Sequence, residues 1–331
     1  NYLMYGGKRM LTFKNSKIVG ISGCVPKNKV NNNLSDKEKE YVGVSSKYYD
    51  QDGKIKTSDL CFKAAKDLIK KLNWKKEEIK FIFFVSQTRD FIFPSTACIL
   101  QDKLNLNNNV LAYDMPLGCS GFIYGIFNSF LFAEKLKAKG LLLLGDMSSK
   151  FVDNSDRQNG ILFGDAGVAV GIDYSNLETP SYFSFGTDGN GSNYIKYDSD
   201  QFYSNVKGKF TMKGANVFQY MSKKIPLEIS DLLEKSKVKL KDIDFFVPHQ
   251  ASKFLISTIS NKIGVNKKKV LLSLDTFGNT NSASIPITIL NEKKKIKNSK
   301  LLLSGFGVGL SWGNSILDIG ENVKLTNISY L

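Results

Sequence analysis

The chain has 331 residues, 42% hydrophobic and 23% charged, which is the balance of a large globular protein rather than a disordered or fibrous one. Its net charge of +15 comes almost wholly from lysine, because Arg9, Arg89 and Arg157 are the only arginines; base-edge and bidentate phosphate recognition favour arginine, so no nucleic-acid partner is expected. No apolar run approaches the roughly 20 residues that span a bilayer, and residues 1–15 hold no sustained apolar stretch or small-residue cleavage site. No membrane association is expected, and the expected location is the cytoplasm.

Taken in chain order, the first half alternates helix and strand. An amphipathic helix is expected over 58–72, a buried strand over 81–85, a helix over 95–104 and a strand over 110–113. A tight turn, a helix over 122–136 and a strand over 141–144 follow, and the Gly- and Asn-rich stretch 186–193 reads as a surface loop. The second half runs the same way: helix 223–235, strand 245–247, helix 253–263, strand 270–274, a turn, helix 283–292 and strand 301–303. The strand runs are too short for helices and too apolar for edges.

The two halves echo each other at a fixed distance. Val110, Cys119, Leu141 and Gly145 recur as Val270, Asn279, Leu301 and Gly305, each 160 positions later, and 77–87 (EEIKFIFFVSQ) is loosely repeated in 241–250 (KDIDFFVPHQ). A constant offset across several elements implies duplication of one α/β unit, here 1–175 and 176–331. The fold class is α/β, with two mixed sheets stacked around shared central helices.

The duplication has a chemical consequence. The turn carrying Cys119 is equivalent to the turn carrying Asn279, and His249 ends a strand equivalent to the one ending near Ser86. Equivalent ends converge in a pseudo-two-fold pair, so three distant residues can meet. Cys119 lies in GCSGF (118–122), where small neighbours allow a sharp strand-to-helix turn whose helix N-terminus would favour a thiolate. Each residue alone also admits a plainer reading: a packed cysteine, a satisfied core histidine, an asparagine in a turn. The other cysteines, Cys24, Cys61 and Cys98, read as small buried hydrophobes. With no C-x-x-C pair and one histidine in the chain, no metal site is expected.

GCSGF, ILFGDAG (161–167), PHQAS (248–252), FGNTNSASIP (277–286) and GFGVGLSWG (305–313) resemble, in order, the motifs of the β-ketoacyl-acyl-carrier-protein synthase III family. The resemblance runs from about Lys17 to Leu317 and implies a duplicated thiolase fold, layered α/β/α/β/α. It also implies a catalytic set of Cys119, His249 and Asn279. Cys119 would take an acyl group from a primer thioester, and the enolate of a decarboxylating malonyl thioester would attack it, giving a 3-oxoacyl thioester. Neutral His249 and the Asn279 amide would donate to the enolate oxygen, and the backbone amides of Cys119 and Val308 would form a second oxyanion hole. Chain-elongating relatives need two histidines and thiolases a second catalytic cysteine, and this chain has neither. A papain-like Cys…His…Asn order lacks that family's C-G-S-C-W surround.

The resemblance further assigns Phe93, Arg157 and Phe306 to substrate binding, with Phe93 crossing a homodimer interface to close the partner's acyl pocket. Lys253 and Lys262 are expected to dock an acyl carrier protein. No cofactor is expected beyond the phosphopantetheine of that carrier or of coenzyme A. The segment 31–58 is short and lacks the family's tryptophan and arginine at the adenine end of coenzyme A, while Gln219 and Phe254 stand at basic family positions. A carrier-borne primer is therefore expected. A relative that moves an acyl group to an alcohol or amine without condensation is the alternative.

Overall fold

A computed structural model describes residues 10–153, 156–157, 159–198 and 208–331. Residues 1–9 of the N-terminal stretch read above, and Asn154 and Ser155 beside Arg157, lie outside them.

The first half comprises β1 (Met10–Phe13), β2 (Ser16–Val25), the small pair β3 (Lys29–Asn31) and β4 (Ser46–Tyr48) with α1 (Asp36–Tyr41) between them, and α2 (Thr57–Leu72). Then come β5 (Ile79–Val85), α3 (Thr96–Lys103), β6 (Leu111–Met115), α4 (Gly121–Leu136), β7 (Lys139–Asp146) and β8 (Ala166–Tyr174). The second half holds β9 (Ser181–Thr187), the hairpin β10 (Ile195–Asp198) and β11 (Lys209–Met212), α5 (Gly214–Ser236), β12 (Phe245–Pro248), α6 (Lys253–Ile263), α7 (Leu274–Phe277), α8 (Ser284–Asn291) and α9 (Lys293–Ile296). β13 (Ser299–Gly307), β14 (Ser311–Ile319), β15 (Lys324–Leu325) and β16 (Ser329–Tyr330) complete the described chain.

Two mixed sheets organise these elements. One runs β15-β2-β8-β7-β5-β6 with β16 also on β2, the other β1-β9-β14-β13-β12. The 175/176 division falls between β8 and β9, while the chain ends cross over: β1 joins the second sheet, β15 and β16 the first. Both halves pair alike. β5 is parallel to β7, which is antiparallel to β8; β12 is parallel to β13, which is antiparallel to β14.

Helix α4 packs against strands of both sheets, α8 does the same, α2 and α3 cover one outer face, and α5 and α6 the other. The sequence explains the central position. A soluble helix apolar around most of its circumference must be buried, and α4 (GFIYGIFNSFLFAEKL) buries Phe122, Ile123, Ile126, Phe130 and Ala133. In α8 every residue from Ser284 to Leu290 is buried. This is the five-layered arrangement expected.

Four expectations are corrected. The runs at 110–113 and 245–247, read as too apolar for edges, belong to β6 and β12, which end their sheets. Residues 270–274 are not a strand: Val270 makes a single bridge to Phe246, and Oε1 of Gln250 takes the amides of Ser273 and Leu274 at 2.9 and 3.2 Å. A side chain thus satisfies donors that a ladder would have used. Helix α5 starts at Gly214 rather than 223, because Val217, Met221 and Ile225 continue its buried face at helical spacing. Cys98 is exposed on α3, unlike Cys24 and Cys61, which are buried thiols.

Candidate active site

The turn 116–120 brings the chain from β6 into α4, and its shape is set by what presses on it. A Cβ at Gly118 would lie 2.1 Å from Oε1 of Gln87, so a larger residue would make that side chain swing aside. On the opposite side the backbone of Gly307, at the end of β13, lies against the nucleophile: a Cβ there would sit 2.6 Å from Cβ and 2.7 Å from Sγ of Cys119. Cys119 is 9% exposed.

The electrostatics of this sulfur correct the sequence reading. Burial pushes the thiol up to about 11, against the hydrogen bond from the Val308 N–H; the Asp146 carboxylate adds to the rise, and the Cys119 N–H opposes it. The helix N-terminus does not make a resting thiolate, because desolvation exceeds what the amides return. Cys119 is a thiol at neutral pH. Even so, the amides of Val308 and Cys119 both address Sγ, the pair expected to form the oxyanion hole.

Asn279 is held by the ILFGDAG segment. Its N–H donates to Leu162 O at 2.9 Å, and its carbonyl accepts from the Gly164 N–H at 3.1 Å. Its side-chain Oδ1 accepts from the N–H of Asn281 at 2.9 Å, which leaves the amino group of the carboxamide for the cavity. His249 follows β12, with its N–H donating to Ser304 O at 2.8 Å. Its Nδ1 lies 2.7 Å from Ser284 Oγ, which leaves Nε2 without a side-chain partner among the described residues. The ring is 1% exposed and packs edge-on to Phe306 at 5.8 Å between centroids. Burial lowers its pKa to about 3, opposed by a hydrogen bond from the ring to the Asn281 backbone carbonyl, so the imidazole is neutral.

Cys119, His249, Asn279, Phe306 and Val308 all line one cavity of about 850 Å³. Below it the buried Asp146, at the end of β7, accepts from Ser282 Oγ at 2.6 Å, the Gln87 N–H at 2.8 Å and Ser86 Oγ at 3.2 Å. That carboxylate ties the ends of β5 and β7 to the turn after Asn279. Burial raises its pKa to about 6 despite those donors. Sequence reasoning missed Asp146, Asn281, Ser284 and Gly307; the last three sit inside quoted motifs, but only tertiary contacts reveal their parts.

The remaining expected residues lie elsewhere. Phe93 is 83% exposed, on an apolar stretch with exposed Phe91 and Ile92, and does not line this cavity. Arg157 does not line it either: its guanidinium binds Glu38 Oε1 and Oε2 at 3.1 and 3.2 Å. Glu38 is also engaged by Ser35, which together with Arg157 holds its carboxyl at about 2. Lys262 Nζ donates to Ser222 O at 2.9 Å. Lys253 is exposed, with its stem against Gly43. Among the described residues no cluster of His, Cys, Asp and Glu could hold a metal ion, and no helix is long and apolar enough to cross a membrane.

Comparison with known proteins places this geometry. The family model described as 3-oxoacyl-[acyl-carrier-protein] synthase III matches residues 113–189, and that of its C-terminal part matches 233–319. The β-ketoacyl-[acyl-carrier-protein] synthase III of Clostridium tetani is 35% identical over 280 residues, covering 79% of this chain and 84% of the relative. That of Clostridioides difficile is 31% identical over 322 residues, 91% and 97% of the two chains. Among solved structures, a 3-oxoacyl-(acyl-carrier protein) synthase from Burkholderia xenovorans superposes with a TM-score of 0.91 at 29% identity, covering 98% of this chain and 100% of that one. A 3-oxoacyl-[acyl-carrier-protein] synthase III from Aquifex aeolicus gives 0.82 at 28% identity, with 92% and 99% covered. With this similarity over most of both chains, the protein is a member of the β-ketoacyl-acyl-carrier-protein synthase III family, with the thiolase fold.

Proposed function

We propose that the protein joins an acyl thioester to malonyl-acyl-carrier protein by decarboxylative Claisen condensation, through an acyl group carried on Cys119. In the first half-reaction Sγ of Cys119 bonds to the thioester carbonyl carbon, the C–S bond to the carrier breaks, and the thiol proton ends on the departing thiol. The carbonyl oxygen, negative in the tetrahedral intermediate, is held by the N–H groups of Cys119 and Val308.

In the second half-reaction the malonyl C–C bond breaks, CO2 leaves with neither of the bonding electrons, and the pair forms an enolate. Nε2–H of His249 and Nδ2–H of Asn279 donate to the enolate oxygen. The neutrality of His249 matters here, since an imidazolium would protonate the enolate it has to stabilise. The enolate carbon then attacks the acyl carbonyl and Cys119 leaves as thiolate, taking up a proton as it returns to its resting form.

The observation that carries this reading is the division of donors within one cavity: two backbone amides on the sulfur, and a separate imidazole and carboxamide whose other polar atoms are already engaged by Ser284 and Asn281. Incubating the protein with an acyl thioester, with and without malonyl-carrier protein, tests it. One CO2 per 3-oxoacyl product supports condensation; acyl transfer to an alcohol or amine without CO2 refutes it.

Acyl carrier protein is the proposed partner for both substrates. The engagement of Arg157 by Glu38 supports a primer delivered on a carrier rather than on free coenzyme A, and of the two expected docking lysines Lys262, unlike Lys253, has its ammonium tied to a backbone carbonyl among the described residues. The exposed stretch 91–93 supports a homodimer in which Phe93 reaches the partner's acyl pocket. The cytoplasm, where carrier-bound acyl chains are made, is the proposed location.

A further inference from the structure

One residue touches all three members of the proposed catalytic set. Asn281 is 4% exposed and lines the cavity. Its Oδ1 lies 3.9 Å from the Cys119 sulfur, within reach of the thiol as donor. Its N–H donates to Oδ1 of Asn279 at 2.9 Å, and its backbone hydrogen-bonds the His249 ring. The carboxamide is itself anchored, with Nδ2 donating at 3.0 Å to Oγ of the buried Ser148, just after β7.

The backbone there has φ of +49°, a left-handed conformation that asparagine adopts more readily than most residues. This conformation turns the Asn281 N–H back onto Asn279 while the side chain faces the sulfur. The charge acting on that sulfur is Asp146 on β7, and the neutral His249 after β12 lines the same cavity; Asn281 adds a neutral amide beside the sulfur.

We propose that Asn281 is a positioning residue: its carboxamide, braced by Ser148, fixes the rotamer of the Cys119 thiol between the Val308 and Cys119 amides, while its backbone fixes the Asn279 carboxamide. The inference rests on the condensation reading, but its first test does not need substrate. Asn281→Asp keeps the shape and places a carboxylate beside the sulfur. The pH profile of Cys119 alkylation by iodoacetamide, followed by peptide mass mapping, is expected to shift upward by about one unit or more.

Asn281→Gly keeps the left-handed backbone and both backbone contacts but removes the carboxamide, so a loss of activity reports the side chain alone. Its acylation kcat is expected to fall about 30-fold, with KM for the primer changed less than about threefold, as a misplaced nucleophile requires. An unmoved alkylation profile in Asn281→Asp, or a kcat within about threefold of the unmodified protein in Asn281→Gly, overturns the proposal. Failure of the condensation reading would show differently, in the unmodified protein, as acyl transfer without CO2 release or as no Cys119 acylation at all.

Discussion

Gly307→Ala tests the close approach around the nucleophile. The added methyl carbon would lie 2.7 Å from Sγ and 2.6 Å from Cβ of Cys119, where ordinary contact begins at 3.4 Å. The sulfur would have to retreat by about 0.7 Å, or β13 would have to move away from α4 by as much. Neither is easy, because Cys119 sits in the turn that enters a helix packed between two sheets and Gly307 ends a strand paired on both sides of its sheet. Overpacking of this kind costs about 2 kcal/mol of stability. A displaced nucleophile loses about 10²-fold in rate.

The assay is the rate of Cys119 acylation by an acyl thioester, followed by intact mass, beside thermal unfolding. Gly189→Ala is the matched control, since nothing lies within 4 Å of a Cβ built there. Acylation by Gly307→Ala within about threefold of the unmodified rate would refute the argument, because it would mean that the sulfur does not work where Gly307 confines it.

Other expectations follow from the same site. Asn279→Asp keeps the acceptor for the Asn281 N–H but removes the donor aimed at the enolate. CO2 release should fall by about 10²-fold or more while Cys119 acylation persists, and equal losses in both would contradict the assignment. His249→Asn should expose a pH-dependent stability term. Burial lowers the folded pKa from 6.5 to about 3, so between those values the unfolded chain binds the extra proton and folded stability falls as pH decreases. Asp146 and Asp165, both raised to about 6 by burial, act with opposite sign below that pH. The stability difference between the unmodified protein and His249→Asn isolates the histidine, and it should shrink by several kcal/mol from pH 7 to pH 4. A constant difference in chemical denaturation would exclude a buried neutral imidazole. Phe93→Asp, which puts a charge on the most exposed phenylalanine among the described residues, should shift the proposed dimer toward monomer in sedimentation, whereas unchanged sedimentation would remove Phe93 from the interface.

Much of the architecture was legible in the chain because the repeat constrains it. The 160-residue offset reappears in the structure: α4 begins at Gly121 and the turn leading into α8 at Asn281, and β7 begins at Lys139 and β13 at Ser299. The same repeat placed Cys119, His249 and Asn279 together before any side-chain geometry was known. Strands β2, β8, β9 and β14 were less visible, since glycines and polar residues interrupt their apolar runs and pairing in the sheet interior supplies what propensity does not.

Where the sequence misled, a specific neighbour is responsible. The glutamine beside His249 takes the backbone donors of 273–274 and prevents a strand there. The sulfur's protonation depends on how completely the two halves exclude water, and no local pattern reports that. Asn281 lay in plain view within FGNTNSASIP, but a left-handed asparagine reads as turn chemistry until its side chain is seen against Cys119.

The central claim is that one buried cysteine carries the acyl group and that an imidazole and a carboxamide then act on the second substrate. Peptide-resolved mass spectrometry of protein treated with an acyl thioester, then with malonyl-carrier protein, tests this most directly. An acyl adduct confined to Cys119 is expected, discharged only when the malonyl substrate is added and persisting in His249→Ala. An adduct on Cys24, Cys61 or Cys98, or one discharged equally well without the malonyl substrate, would contradict it.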